Sequence, residues 1–212
     1  MTAVAIARHL SLDGVARRIP ATLRFALCFL VLAGLLATMI GQRALILRDG
    51  REVRLTIVPV DPRDLFRGDY VVLTYDISEI RLDRVAGDKE FAGGDDVHVT
   101  LRPGADGRAV AVAVHRTAPA VGGADVVMRG RVLYAGRYGR TAGGRADCAD
   151  TCSLIGVAYG IESYFVPEGQ GRAIETTEKS RLEIVAAVGR SGEAAIKRLL
   201  LDGEMLYAEP LY

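Results

Sequence analysis

Five charged side chains crowd one short stretch of this 212-residue chain, Asp61, Arg63, Asp64, Arg67 and Asp69, and they are the first candidates for chemistry. Alternating carboxylates and guanidiniums on a turn can form a recognition loop for a partner, or for a small anionic or carbohydrate ligand. The plainer reading is a solvated turn with weak surface ion pairs. The carboxylates of Asp64, Asp69, Glu162 and Glu168 offer a second chemistry, because acid–base hydrolysis uses a pair of acids whose environments differ. Nucleophilic catalysis finds no support: the domain's few serines lie in no nucleophile elbow, and no catalytic residue is assigned.

Cys148 and Cys152 are separated by Ala-Asp-Thr in a glycine-rich stretch, and a disulfide between them is the preferred reading, worth about 2 kcal/mol as a local pin on a short loop. Free thiols or half a metal site are the alternatives. Zinc is disfavoured, since His98 and His115 lack ligand-like spacing to this pair, so neither metal nor cofactor is expected. His98 alternates with Val97 and Val99 and His115 precedes Arg116, which places both on solvent faces of strands. With 27 basic against 26 acidic residues, a net charge of +1, the chain carries no footprint for nucleic acid.

Mean hydropathy is +0.21 although a quarter of the residues are charged, so the apolar residues must be concentrated. They are concentrated in residues 25–42, which carry no charge and would span about 27 Å as a helix. No polar stripe runs through this stretch, which argues against a buried soluble helix. The small-residue pair of a signal-peptide cleavage site is also missing at its end. The expected organisation is a tail over 1–24, a transmembrane anchor over 25–42 and a β-rich domain over 50–212. Arg17, Arg18 and Arg24 before the anchor nearly balance Arg43, Arg48 and Arg51 after it. The short N-terminal tail favours a cytoplasmic N-terminus, with the domain on the extracytoplasmic side of the membrane.

Beyond the anchor, residues 52–60 alternate apolar and polar, and 69–78 are rich in β-branched and aromatic residues, so the two read as paired strands. Residues 97–102 and 108–116 flank a Pro-Gly-Ala-Asp-Gly turn and predict a hairpin. Further strands are expected at 126–134, 155–166, 181–188, 194–201 and 204–207, with a long loop over 135–152 and a short helix or irregular crossing over 168–178. A helix is the alternative for residues 194–201, which include good helix formers. Asp202-Gly203 predicts a two-residue hairpin turn. Many short strands with glycine turns and no helical crossovers predict a mainly β domain, an antiparallel sandwich or barrel.

Gly68, Asp69, Tyr70, Leu73 and Tyr75 spell G-D-Y-x-x-L-x-Y, and the domain resembles the GDYXXLXY family of membrane-anchored bacterial proteins of unassigned activity. The similarity extends through residues 159–169. It implies a bacterial inner membrane, with the domain in the periplasm or other extracytoplasmic space, and an association with the bilayer and with a multi-pass membrane protein. Read from the residues, Leu73 and Tyr75 share one strand face with Val71 and Ile77, and the motif is a folding device for a core and a turn. Arg67-Gly68-Asp69 also spells an adhesion tripeptide, which a strand start would present poorly. The run Pro62, Leu65, Gly68, Asp69 is similar to a segment of signal peptidases, but Pro59, Val60 and Asp61 stand where their serine would be. The chain would thus be at most an inactive relative. The expected function is a non-enzymatic, membrane-anchored partner-binding domain, with a carboxylate hydrolase or inactive peptidase-like protein as the alternative.

Overall fold

The computed structural model describes residues 20–58, 70–138, 152–165 and 181–208. They fall in two compact units that divide between Arg43 and Ala44. The first unit contains most of one helix, α1 (Ala21–Asp49), longer at both ends than its uncharged stretch. Its most apolar 18-residue window has a mean hydropathy of 2.3 and none of it is buried, with Phe25 and Phe29 about three-quarters exposed. This single apolar helix is compatible with a one-pass membrane anchor or a signal sequence.

The second unit begins on the last turns of α1, where Leu47 is buried and the Gly50 amide closes on the Ile46 carbonyl at 2.9 Å. Thirteen strands follow among the described residues: β1 (Arg51–Val58), β2 (Tyr70–Val72), β3 (Thr74–Tyr75), β4 (Glu79–Arg81), β5 (Ala86–Gly87), β6 (Asp96–Pro103), β7 (Ala109–His115), β8 (Val126–Tyr138), β9 (Cys152–Ala158), β10 (Ser163–Phe165), β11 (Leu182–Val188), β12 (Ala194–Leu201) and β13 (Glu204–Ala208). They make a five-stranded sheet in the order β13-β12-β11-β1-β3, a six-stranded sheet in the order β4-β9-β8-β6-β7-β5, and the pair β10-β2. Among the described strands every pairing is antiparallel except the two-residue contact of β5 with β7, and an isolated parallel bridge joins Arg54 to Arg108. The domain is mainly β, and its two larger sheets include a curled half-barrel.

Alternation selects the buried faces. Val53, Leu55 and Ile57 of β1 point inward, as do Val97, Val99 and Leu101 of β6, and they meet Leu182, Ile184 and Ala186 of β11 in one core. Strand β11 is buried along its whole length, because Glu183, Val185 and Ala187 on its other face are covered as well. The Asp202-Gly203 turn has positive φ at both residues, 53° and 84°, the conformation a two-residue hairpin requires.

Residues 194–201 form the expected strand, β12, rather than the alternative helix, because Ala194, Ala195 and Ile196 find a buried place beside β11 that outweighs helix propensity. Other elements differ from the sequence reading. The strand expected over 155–166 is two, β9 and β10, separated by a turn with Gly160 at φ 77°. Strand β8 runs on to Tyr138 into the expected loop, held by β9 up to Cys152. The motif segment is broken at Leu73: β2 pairs with β10, while β3 pairs with β1 through only Ile57 with Tyr75 and Val58 with Thr74. The crossing expected over 168–178 lies outside the described residues.

Gly87 has φ 92° and a Cβ there would fall on the Val114 carbonyl oxygen, so no side chain fits where β5 meets β7. Gly87→Ala should lower stability by about 2–3 kcal/mol, read as a shift in the urea midpoint of the detergent-solubilised chain.

Candidate functional site

Two tyrosines fasten the segment that carries the motif. The Tyr75 hydroxyl donates to the Ile161 carbonyl at 2.5 Å, and the Tyr159 hydroxyl donates to the Ile77 carbonyl at 2.8 Å. Each tyrosine therefore bonds the residue two places beyond the other, a reciprocal clasp between distant segments. Both rings are buried. Burial first, and then the nearby Glu162 carboxylate, push both phenols well above their ordinary ionisation range, so they remain donors. Leu73 adds an amide bond to the Glu162 carbonyl at 2.7 Å. The Glu162 carboxylate turns back on its own segment and accepts the amides of Tyr159 at 2.5 Å and Gly160 at 2.9 Å. It is a turn cap.

Beside this clasp, the six-stranded sheet curls far enough that its edge strand β4 and the distant strand β7 line one cleft of about 250 Å³. Asp76 and Ile77 of the 3-10 turn Asp76–Ser78, Glu79, Ile80 and Arg81 of β4, Arg84 and Val85 after it, and Val110 and Ala111 of β7 form the lining. Two of its four charged groups are engaged. Glu79 accepts the Tyr134 hydroxyl at 2.8 Å, and Arg81 pairs with Asp83 at 2.6 Å. Among the described residues, Asp76 and Arg84 make no ion pair, with each other or with any other group. The Asp76 carboxyl is partly exposed, yet the protein packed around it pushes it up to about 6, against the amides of Ile77 and Asp76 and the Arg108 charge, which lower it.

Behind the cleft, the buried Glu183 of β11 accepts two bonds from the Arg108 guanidinium, at 2.9 and 2.6 Å, with Arg54 at 3.5 Å from its other oxygen. Arg108 also bridges Arg54 main chain to main chain. The start of β7 is thereby tied to β1 and β11, which joins the half-barrel to the other sheet.

Of the sequence candidates, Asp61, Arg63, Asp64, Arg67, Gly68 and Asp69 lie outside the described residues, as do Cys148 and Glu168. Tyr70 pairs with Phe165 across β2 and β10. Leu73 and Tyr75 are buried, at 3% and 1% exposure, so these two motif positions serve the core. Cys152 is buried and disulfide-bonded, whereas Cys28 is a free thiol. His98 and His115 are cross-strand partners and both half-buried rather than on open faces, and the Nδ1 of His98 is buried without a hydrogen bond. The sequence reading missed Asp76, Arg84 and the clasp partner Tyr159. The only signal for them was the proximity of Asp76 to the motif and the similarity of residues 159–169 to the family.

A family model described as GDYXXLXY protein matches residues 32–199, and the chain belongs to that family. No curated protein and no solved structure matches it significantly.

Replacing either clasp tyrosine by phenylalanine leaves a buried carbonyl without its donor, so Tyr75→Phe and Tyr159→Phe should each cost about 1–3 kcal/mol. A double-mutant cycle in urea should show coupling between them. Asp76 should act in the opposite sense. Its folded-state pKa is raised, so the folded protein holds this proton more tightly than the unfolded chain between about pH 4 and 6, and stability falls as pH rises through that window. Asp76→Asn should therefore raise stability at pH 8, by about 1 kcal/mol after allowing for solvent screening, with no gain at pH 4. Paired urea titrations at the two pH values measure this.

Proposed function

We propose that this member of the GDYXXLXY family is a single-pass protein of a bacterial cytoplasmic membrane. Its β domain stands on the extracytoplasmic side and binds a partner, an integral membrane protein, without catalysing a reaction. The observation that carries this reading is how the charged segment 59–69 is delivered. The residue before it, Val58, pairs with Thr74, and the residue after it, Tyr70, pairs with Phe165. A few residues further on, the tyrosine clasp ties the same chain into the core. Asp61, Arg63, Asp64, Arg67 and Asp69 thus spring from two fixed strand ends, which suits a recognition loop on a rigid scaffold.

Other observations support the location. The helix α1 leaves its apolar surface uncovered by protein, and lipid is the solvent that fits such a surface. Cys152 is in a disulfide, which favours an oxidising compartment. A hydrolase would have to draw on Asp64, Asp69, Glu162 or Glu168. Glu162 is the one of these four within the described residues, and both its oxygens hold backbone amides.

The test is recovery of the full chain from membranes in mild detergent. A single integral membrane protein should co-purify, and Arg63→Ala with Arg67→Ala should cut its recovery about tenfold, as the loss of one or two charge-assisted contacts implies. Recovery equal to that of the parent chain would remove the charged segment from the interface.

A further inference from the structure

We infer that the cleft between β4 and β7 is a binding site for a small zwitterion with an aliphatic body, of the amino-acid or dipeptide class, with Asp76 taking its ammonium and Arg84 its carboxylate. The charges of the cleft point to this class. Glu79 and Arg81 are engaged by Tyr134 and Asp83, which leaves one acid and one base on the same lining without an ion pair among the described residues. An anion alone would meet the Asp76 carboxylate, and a cation alone would meet Arg84. A ligand bearing both charges satisfies both groups.

Each group sits on a fixed support. Asp76 opens the 3-10 turn that begins at the clasped Tyr75, whose amide donates to Ser78 Oγ at 3.1 Å. Arg84 lies in a turn closed by its own amide on the Arg81 carbonyl at 3.1 Å, and Lys89 Nζ holds the carbonyls of Leu82 and Val85 on either side. With the backbone held at both positions, binding has to order only the two side chains. The Asp76 carboxyl, raised by poor solvation, would be stabilised in its charged form by an incoming ammonium. The wall supplies the apolar contact: Val110 stands 46% exposed on β7, with Val85 half-buried opposite. A volume of about 250 Å³ suits a ligand of one or two residues rather than a folded partner. This site is separate from the charged segment 59–69 and does not depend on the partner proposed for it.

Equilibrium dialysis of the full chain in mild detergent tests the assignment, with L-leucine, L-leucyl-L-leucine, N-acetyl-leucyl-leucine and leucyl-leucinamide as probes. Leucine or its dipeptide should bind saturably at sub-millimolar concentration, the dipeptide if the two charges are widely spaced. For the dipeptide, blocking either end should weaken binding about tenfold or more. Asp76→Asn should bind the free and acetylated dipeptides alike, and Arg84→Gln the free and amidated dipeptides alike. Both substitutions are at surface turns outside the core, and Arg63→Ala with Arg67→Ala should leave binding unchanged. No saturable binding of leucine or dileucine up to about 10 mM would overturn the site. Affinity lost in only one of the two cleft variants, or in neither, would overturn the zwitterion.

Discussion

The exchange of hydrogen bonds between Tyr75 and Tyr159 is the constraint on which the rest of the domain depends. The two residues lie on segments far apart in sequence, and each hydroxyl ends on a backbone carbonyl of the other segment. Ile161 and Ile77 need those donors because they sit in turns, where no strand ladder reaches their carbonyls. Shielded from water, the pair fixes both spacing and register: a slip by one residue on either segment would turn a tyrosine out of the core and leave two carbonyls unpaired. The short strands β2, β3 and β10, of two or three residues each, would be weak ladders alone. Anchored at the clasp, they hold both ends of the charged segment and the first turn of the cleft.

Charge is distributed to the same end. The buried Glu183 is reached by Arg108 from the hairpin and Arg54 from β1; Arg108 bonds one carboxylate oxygen, and the Arg54 charge lies 3.5 Å from the other, which accepts no hydrogen bond among the described residues. At the opposite rim Arg51 donates to the carbonyls of Gly123 and Asp125, and Arg102 pairs with the Asp125 carboxylate, which closes the six-stranded sheet against β1. In the lining of the cleft, Asp76 and Arg84 make no ion pair among the described residues, and the more distant opposite charges of Arg108 and Asp83 act with them.

How far these features could be read in advance depends on the range of the forces involved. The alternation of Val53, Leu55 and Ile57, the Pro103–Gly107 hairpin turn and the Asp202-Gly203 turn are local, and each appears where its residues place it. Residues 194–201 were ambiguous for the opposite reason. Their alanines and leucines suit either state, and burial beside β11 decided between them. Glu162 reads in sequence as a free acid. Only the turn made by Gly160 brings its carboxylate onto the amides of its own segment.

The sequence by itself determined the uncharged helix, the mainly β character and the family, because periodicity, apolar length and a contiguous motif are properties of neighbouring residues. It also determined that Leu73 and Tyr75 would share a buried face. The tertiary structure decided the partner of that tyrosine, the curl that brings β4 to β7, and which of the many surface charges remain unpaired. Those depend on distances between residues tens of positions apart, and such distances are set by the packing of the whole core rather than by any local pattern.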